Sequence, residues 1–208
     1  MSKVFFDVGI TIDGFIAGLN GGASNPLGDG GIQIHNWMFK QKSFRNHIKL
    51  EGGETDNVDN DIIENIFNRI GANIMGKKMF IEGEANWPEE APFHCPVYVL
   101  TKEKREPWIR PGGTTFYFTS ENIHSILQKA KEAAGNKDVR ISGGADVIMQ
   151  YLNAGLIDEF TLHAAPMIMG KGVRLFEKIK STNFELEISN VINSPTVTHL
   201  YYNVKYKG

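Results

Sequence analysis

A single cysteine, Cys95, stands among the 208 residues. No intrachain disulfide framework is therefore open to this chain, and a reducing compartment suits it. Long apolar runs are missing as well: nothing approaches the roughly 20 residues that cross a bilayer as a helix. The opening Met1-Ser2-Lys3 leads straight into a strand pattern, without the layout of a signal peptide. A cytoplasmic protein with no membrane partner is expected from these absences. There is no surplus of positive charge either. The 22 lysines and arginines face 24 aspartates and glutamates, a formal net charge of −2, which argues against a general nucleic-acid binder. His35 and His47 lie far apart with no third ligand nearby, so no metal site is expected. Internal repeats, low-complexity tails and linkers are lacking, and a single domain over 1–208 is the expectation.

What is present is an alternation of short apolar strands with helical patterns. Lys3 to Ile12 (KVFFDVGITI) is rich in β-branched and aromatic residues and reads as a strand buried on both faces. Asp13-Gly14 turns it, with Asp13 capping the turn. Asn20 to Gly31 is a glycine-rich loop of the kind that is usually mobile or functional. Trp37-Met38 with Phe44 and Ile48 forms the apolar side of a short helix. Asp59-Asn60-Asp61 opens a longer one, with Ile62, Ile63, Ile66, Phe67 and Ile70 on one face and Gly71 as its end. The strand Ala72–Met75 leads to Gly76-Lys77-Lys78, where two lysines at a helix start are unfavourable unless an anion is near. Pro96–Leu100 and Thr114–Thr119 are further strands, and Ser120 caps a helix that Gly135 ends.

From Val139 to Ala165 the pattern is densest. The strand Val139–Ile141 turns on Ser142-Gly143-Gly144 into a helix burying Val147, Ile148, Tyr151 and Leu152. Gly155 is a left-handed cap, and Phe160–Ala165 is the next strand. A double glycine between strand and helix lets backbone N–H groups approach a phosphate at a helix start, where the dipole favours negative charge. Phe184–Ile192 and Val197–Tyr206 form an antiparallel pair through Asn193-Ser194-Pro195. The order of elements predicts a three-layer α/β domain: a mostly parallel central sheet, helices on both faces, and antiparallel C-terminal strands.

Pro166-Met167-Ile168-Met169-Gly170-Lys171-Gly172-Val173-Arg174-Leu175-Phe176 resembles the P-x-x-x-G-x-G-x-x-L-F segment of the reductase domain of the riboflavin-biosynthesis deaminase-reductase, a relative of dihydrofolate reductase. Four more segments carry the same resemblance in order: I-D-G-F-I-A from Ile12, M-G-K-K-M-F from Met75, L-T-K from Leu100 and S-G-G-A from Ser142. The resemblance implies a dihydrofolate reductase-like fold and NADPH as cofactor. It puts Ile16 and Ala17 against the nicotinamide, and Ile141, Ser142, Gly143, Gly144, Ala145 and Val147 around the pyrophosphate. Gly76, Lys77, Lys78, Leu100, Thr101 and Lys102 complete the implied cofactor site, with lysines near the adenosine 2′-phosphate. Trp37 and Phe67 are implied at the substrate. The implied reaction is hydride transfer to 5-amino-6-(5-phosphoribosylamino)uracil. Dihydrofolate reduction and a non-catalytic nucleotide-binding protein are the alternatives. No histidine lies at the motif turns, so the proton source is expected to be Asp61, with Asp59 as its alternative, or a bound water; helix capping explains either acid equally well. The deaminase half, with its H-x-E and P-C-x-x-C, is absent. Pairing of sheet edges into a homodimer is also implied. The segment from Asn20 to Thr55 departs from the family pattern where the substrate sits.

Overall fold

The computed structural model describes residues 2–180 and 183–207; Met1, Ser181, Thr182 and Gly208, part of the expected 1–208 domain, lie outside the described residues. The chain opens with β1 (Val4–Thr11) and β2 (Phe15–Ala17), then a 3₁₀ turn (Gly31–His35), α1 (Asn36–Phe39), α2 (Lys42–His47) and α3 (Val58–Arg69). There follow β3 (Ile70–Gly76), α4 (Lys77–Glu84), β4 (Pro96–Leu100), β5 (Trp108–Ile109), β6 (Thr115–Thr119) and α5 (Ile123–Ala134). The remainder is β7 (Asp138–Gly143), α6 (Ala145–Asn153), β8 (Glu159–Ala165), β9 (Val173–Arg174), β10 (Phe184–Asn193) and β11 (Thr198–Tyr206).

One sheet runs β10-β11-β8-β1-β7-β3-β4-β6-β5. The strands from β8 to β6 are parallel, and β11 and β10 on one flank and β5 on the other are antiparallel. This is the expected mostly parallel sheet with antiparallel C-terminal strands. A small second sheet pairs β2 with β9. No helix among the described residues is long and apolar enough to cross a membrane.

Strand alternation sorts side chains to opposite faces. On one face Val4, Phe6 and Ile10 of β1 join Ala72, Ile74, Val139 and Ile141, and pack against Ile126, Leu127 and Ala130 of α5 and Ile148, Tyr151 and Leu152 of α6. On the other, Phe80 of α4 packs with Met75, Val97, Val99 and Phe116. Further along this face, Trp37, Ile63 and Val197 cluster. β1 is buried on both faces, as its composition predicts, but after Phe5 its second face carries Asp7, Gly9 and Thr11 rather than apolar residues.

Two caps differ from expectation. The helix expected to start at Ser120 is capped by Asn122, whose side chain accepts from the Ser125 N–H. Gly71 does not end α3; it lies inside β3. There an added Cβ would stand 2.7 Å from the Ala134 carbonyl oxygen and 2.7 Å from Lys137 Cβ. The glycine admits the end of α5 against the strand. The glycine-rich loop is held rather than loose: Asn20 and Asn25 donate to the Asp29 carboxylate at 2.7 and 2.9 Å, and the Leu27 N–H reaches Glu82.

Candidate functional site

At the C-terminal ends of the parallel strands, where open α/β sheets bind ligands, lies a cleft of about 1100 Å³. Its one half is built from backbone. β3 ends at Gly76 and α4 begins; β7 ends at Gly143 and α6 begins after Gly144. Neither helix has a side-chain cap among the described residues, so no side chain takes the N–H groups at the two helix starts, although the Val147 N–H folds back onto the Gly144 carbonyl at 3.0 Å. The two turns abut: a Cβ on Gly76 would meet Val147 Cγ2 at 2.9 Å and lie 3.8 Å from the Gly143 oxygen. Gly143 has φ +128° and is joined to Gly144 by a cis peptide. Lys77 and Lys78 sit on this rim, Lys77 paired to Glu103 at 2.8 Å. Two uncapped helix starts and two lysines around one open turn fit the pyrophosphate of a dinucleotide.

β2 closes the cleft from above. The Asp13 carboxylate accepts the Thr11 hydroxyl at 2.6 Å and the N–H groups of Gly170 and Met169 at 2.7 and 3.1 Å. Those bonds, the Thr11 one foremost, lower its pKa to about 2. Gly172 has φ +155°, and a Cβ there would come within 2.3 Å of the Ala17 oxygen. The I-D-G-F-I-A and G-K-G-V-R-L-F segments are thus two sides of one clasp, and Asp13 stitches it.

The other half is aromatic. Trp37, Phe39, Phe44, Phe67 and Phe93 line it, with His47 stacked on Phe67 at 3.7 Å between ring centres. Burial holds the His47 and His35 imidazoles down to about 4, so both are neutral at pH 7. Behind the aromatics a row of polar side chains crosses the sheet. Asn73 donates to Cys95 Sγ at 3.0 Å and accepts from Ser142 at 2.7 Å; burial raises the Cys95 thiol to about 11. Arg140 grips Asp7, with Nε 2.7 Å from Oδ1 and Nη2 2.8 Å from Oδ2. Burial alone would raise the Asp7 carboxyl; Arg140 and His163 hold it below the usual range. His163 Nε2 stands 3.9 Å from Asp7 Oδ2, and its Nδ1 lies 2.7 Å from His199 Nδ1. His199 Nε2 reaches Asp59 Oδ1 at 3.0 Å. Burial lowers the His199 pKa against the pull of Asp59.

Of the residues expected at a cofactor, Ile16, Ala17, Gly76, Lys77, Lys78, Leu100, Ser142, Gly143, Gly144, Ala145 and Val147 line the cleft, as do Trp37 and Phe67. Ile141 is sealed in the core beneath it; the Thr101 N–H is spent on the Thr119 carbonyl, and Lys102 is exposed beyond the lining. The two candidate acids part company. Asp61 is exposed and off the cleft, which corrects its expected place beside a substrate ring. Asp59 is 4 % exposed but meets the cleft only through His199 and His163. The acidic groups on the lining are instead Asp7, Glu82, Asp146 and Glu177. Sequence reasoning missed Asp7, Arg140, His163 and His199. Asp7 and His163 are ionisable residues within largely apolar strands, which is the signal that marks them; Arg140 and His199 lie in strands with several other polar residues and carry no such signal. The segment 20–55 supplies Leu27, His35, Trp37, Phe39, Phe44, His47 and Leu50, and so forms much of the aromatic half.

Comparison with known proteins places this cleft in context. The Bacillus subtilis (strain 168) protein YyaP, uncharacterized, is 26% identical over 209 residues, covering 96% of this chain and 94% of YyaP. A protein assigned to riboflavin biosynthesis in Shewanella sp. PV-4 superposes with a TM-score of 0.65 at 20% identity, covering 99% of each chain. Dihydrofolate reductase from Enterococcus faecalis, complexed with NADP(H) and RAB-propyl, superposes with a TM-score of 0.55 at 13% identity, covering 99% of this chain and 97% of that one. These likenesses give the fold as dihydrofolate reductase-like. The family model of the RibD C-terminal domain matches residues 2–200. With that match across nearly its whole length, the chain belongs to the RibD C-terminal domain family.

Proposed function

We propose that the protein is an NADPH-dependent reductase that acts on a planar heterocyclic ring. The observation that carries this reading is the continuity of the cleft: it runs from the two uncapped helix starts at Gly76 and Gly144 to the buried Asp7 and His163 beneath the aromatic wall. Family membership and the NADP(H) held by the Enterococcus reductase support it. When bound, the reduced nicotinamide supplies a hydride equivalent. The residues of this chain do the rest. Gly144 and Ala145 offer backbone N–H groups to the pyrophosphate, Lys77 and Lys78 offset its charge, and Ile16 and Ala17 cover the nicotinamide. Lys102 and Lys104, which make no ion pair among the described residues, favour a 2′-phosphate and hence NADPH over NADH. Trp37 and Phe67, both on the cleft lining, offer apolar surface to the ring and exclude water. Asp61 has no part.

The test is consumption of NADPH, followed by absorbance, against 5-amino-6-(5-phosphoribosylamino)uracil and, separately, dihydrofolate. Turnover with the ribosylamino-pyrimidine is expected, slower by roughly tenfold with NADH, about 1.4 kcal/mol of discrimination. Absence of NADPH binding at millimolar cofactor would leave only a cofactor-free binding protein on this fold.

We propose further that two copies pair through β10. This strand is a free sheet edge of 10 residues that exposes Leu186, Ile188 and Val191, and an uncovered apolar edge invites another chain. Sedimentation at micromolar concentration is expected to give a dimer, and Ile188→Lys a monomer; a monomeric wild type rules the pairing out.

A further inference from the structure

We infer that Asp59, His199 and His163 form a proton relay that carries a proton from solvent at the β10–β11 turn to the cleft and delivers it at His163 Nε2. That a substrate being reduced receives this proton rests on the reductase reading above; the relay itself does not.

The chain of contacts is continuous. Thr196, exposed at the turn, and Ser194 donate to Asp59 Oδ2 at 3.1 and 3.0 Å. Asp59 Oδ1 lies 3.0 Å from His199 Nε2, and the two imidazole Nδ1 atoms are 2.7 Å apart. His199 is fully buried and His163 is 2 % exposed. The Trp37 ring lies 4.8 Å from the ring of His163 and 5.0 Å from that of His199, which keeps water from the middle of the chain. The last atom, His163 Nε2, is buried without a hydrogen-bond partner among the described residues, and His163 lines the cleft. Buried polar atoms are nearly always partnered, so this one is placed for a group that enters the cleft.

The tautomers permit transfer. In the depleted state the Asp59 carboxylate accepts His199 Nε2–H, His199 Nδ1 accepts His163 Nδ1–H, and His163 Nε2 is bare. In the loaded state the system holds one more proton, and His163 Nε2–H faces the cleft. Donation breaks that N–H bond and forms one on the substrate atom left electron-rich by the reduced nicotinamide. Two short shifts, from His199 Nδ1 to His163 Nδ1 and from Asp59 to His199 Nε2, then return the relay to the depleted state. It is reloaded when solvent protonates Asp59 through Thr196 and Ser194 and the two imidazoles exchange tautomers, His199 to Nδ1–H and His163 to Nε2–H. The charged and titratable groups facing His163 are Asp7 of β1, Arg140 of β7, His35 of the 3₁₀ turn, His199 of β11 and, behind it, Asp59 of α3. Asp7 stays anionic in the grip of Arg140, so it supplies no proton itself.

Histidine NMR on ¹⁵N-labelled protein without substrate tests the relay directly. Asp59→Asn keeps the shape, and the Ser194 and Thr196 hydroxyls can turn to accept from the new amide. Although Asp59 does not touch His163, the variant is expected to weaken proton binding at His163 Nε2 about tenfold, one unit of midpoint, with NADPH affinity unchanged. Ser194→Ala/Thr196→Val, at an exposed turn, strips donors from the carboxylate and is expected to move the same midpoint upward; it carries the test if Asp59→Asn does not fold. Unmoved His163 midpoints in folded variants overturn the relay. In turnover of 5-amino-6-(5-phosphoribosylamino)uracil, His163→Gln is expected to lower kcat about 10²-fold without changing NADPH affinity; an unchanged kcat removes His163 as the donor. If the wild type turns over neither this substrate nor dihydrofolate, the reductase reading fails, while the NMR result still decides the relay.

Discussion

Replacing Arg140 by methionine is expected to destabilise the protein by about 3–5 kcal/mol, the usual cost of breaking a buried ion pair by removing one partner. The Asp7 side chain is 8% exposed and that of Arg140 22%, so the carboxylate left behind cannot recover its hydration. The effect depends on pH, and its sign reverses between wild type and variant. In the wild type the Asp7 pKa is lowered from 3.8; its ionisation therefore stabilises the fold above the unfolded pKa, and that contribution disappears as pH falls through the folded value. Without Arg140, burial raises the same pKa, so the variant loses stability as pH rises through it. Urea unfolding from pH 5 to 8 is expected to show a flat wild-type contribution and a falling midpoint for Arg140→Met. Asp7→Asn in the Arg140→Met background should recover part of the loss. Parallel curves for wild type and Arg140→Met would show that Asp7 is not held by that pairing.

Gly144→Val is expected to weaken NADPH binding on the order of 100-fold, about 2.7 kcal/mol, and to leave the melting temperature nearly unchanged. The separation follows from the local geometry. Gly144 has φ −70° and ψ −168°, a conformation any residue adopts, and an added Cβ would meet nothing within 4 Å. The valine therefore costs the fold little and stands in the space before the first turn of α6. Gly143, one residue earlier, has φ +128°, where a side chain is strained whatever the space. Fluorescence titration with NADPH and calorimetry on Gly144→Val read the two quantities apart. Unaltered affinity would place the pyrophosphate elsewhere in the cleft.

The order of strands and helices and the glycine turns at Gly76 and Gly143-Gly144 were legible because they are local properties. Apolar spacing sets the period of each element, and glycine is needed wherever a turn leaves no room for a side chain. That locality is also why Gly71 misled: an apolar face followed by glycine reads as a helix end, whereas the approach of the Ala134 carbonyl oxygen is what forbids a side chain there.

What the tertiary structure alone decided is the polar row. Asp59 and Asp61 are two residues apart on a helix, so they point about 200° from each other. Both satisfy the dipole at the start of α3, and only the docking of that helix on the sheet buries the first and exposes the second. Asp7, Arg140, His163 and His199 come from four strands whose neighbours are set by crossovers rather than by sequence proximity. Each shares its strand with at least one other polar residue, and period-two alternation says only that it faces away from its neighbours. Which of these faces share one buried surface depends on strand order and register, and those are settled by packing over the whole sheet.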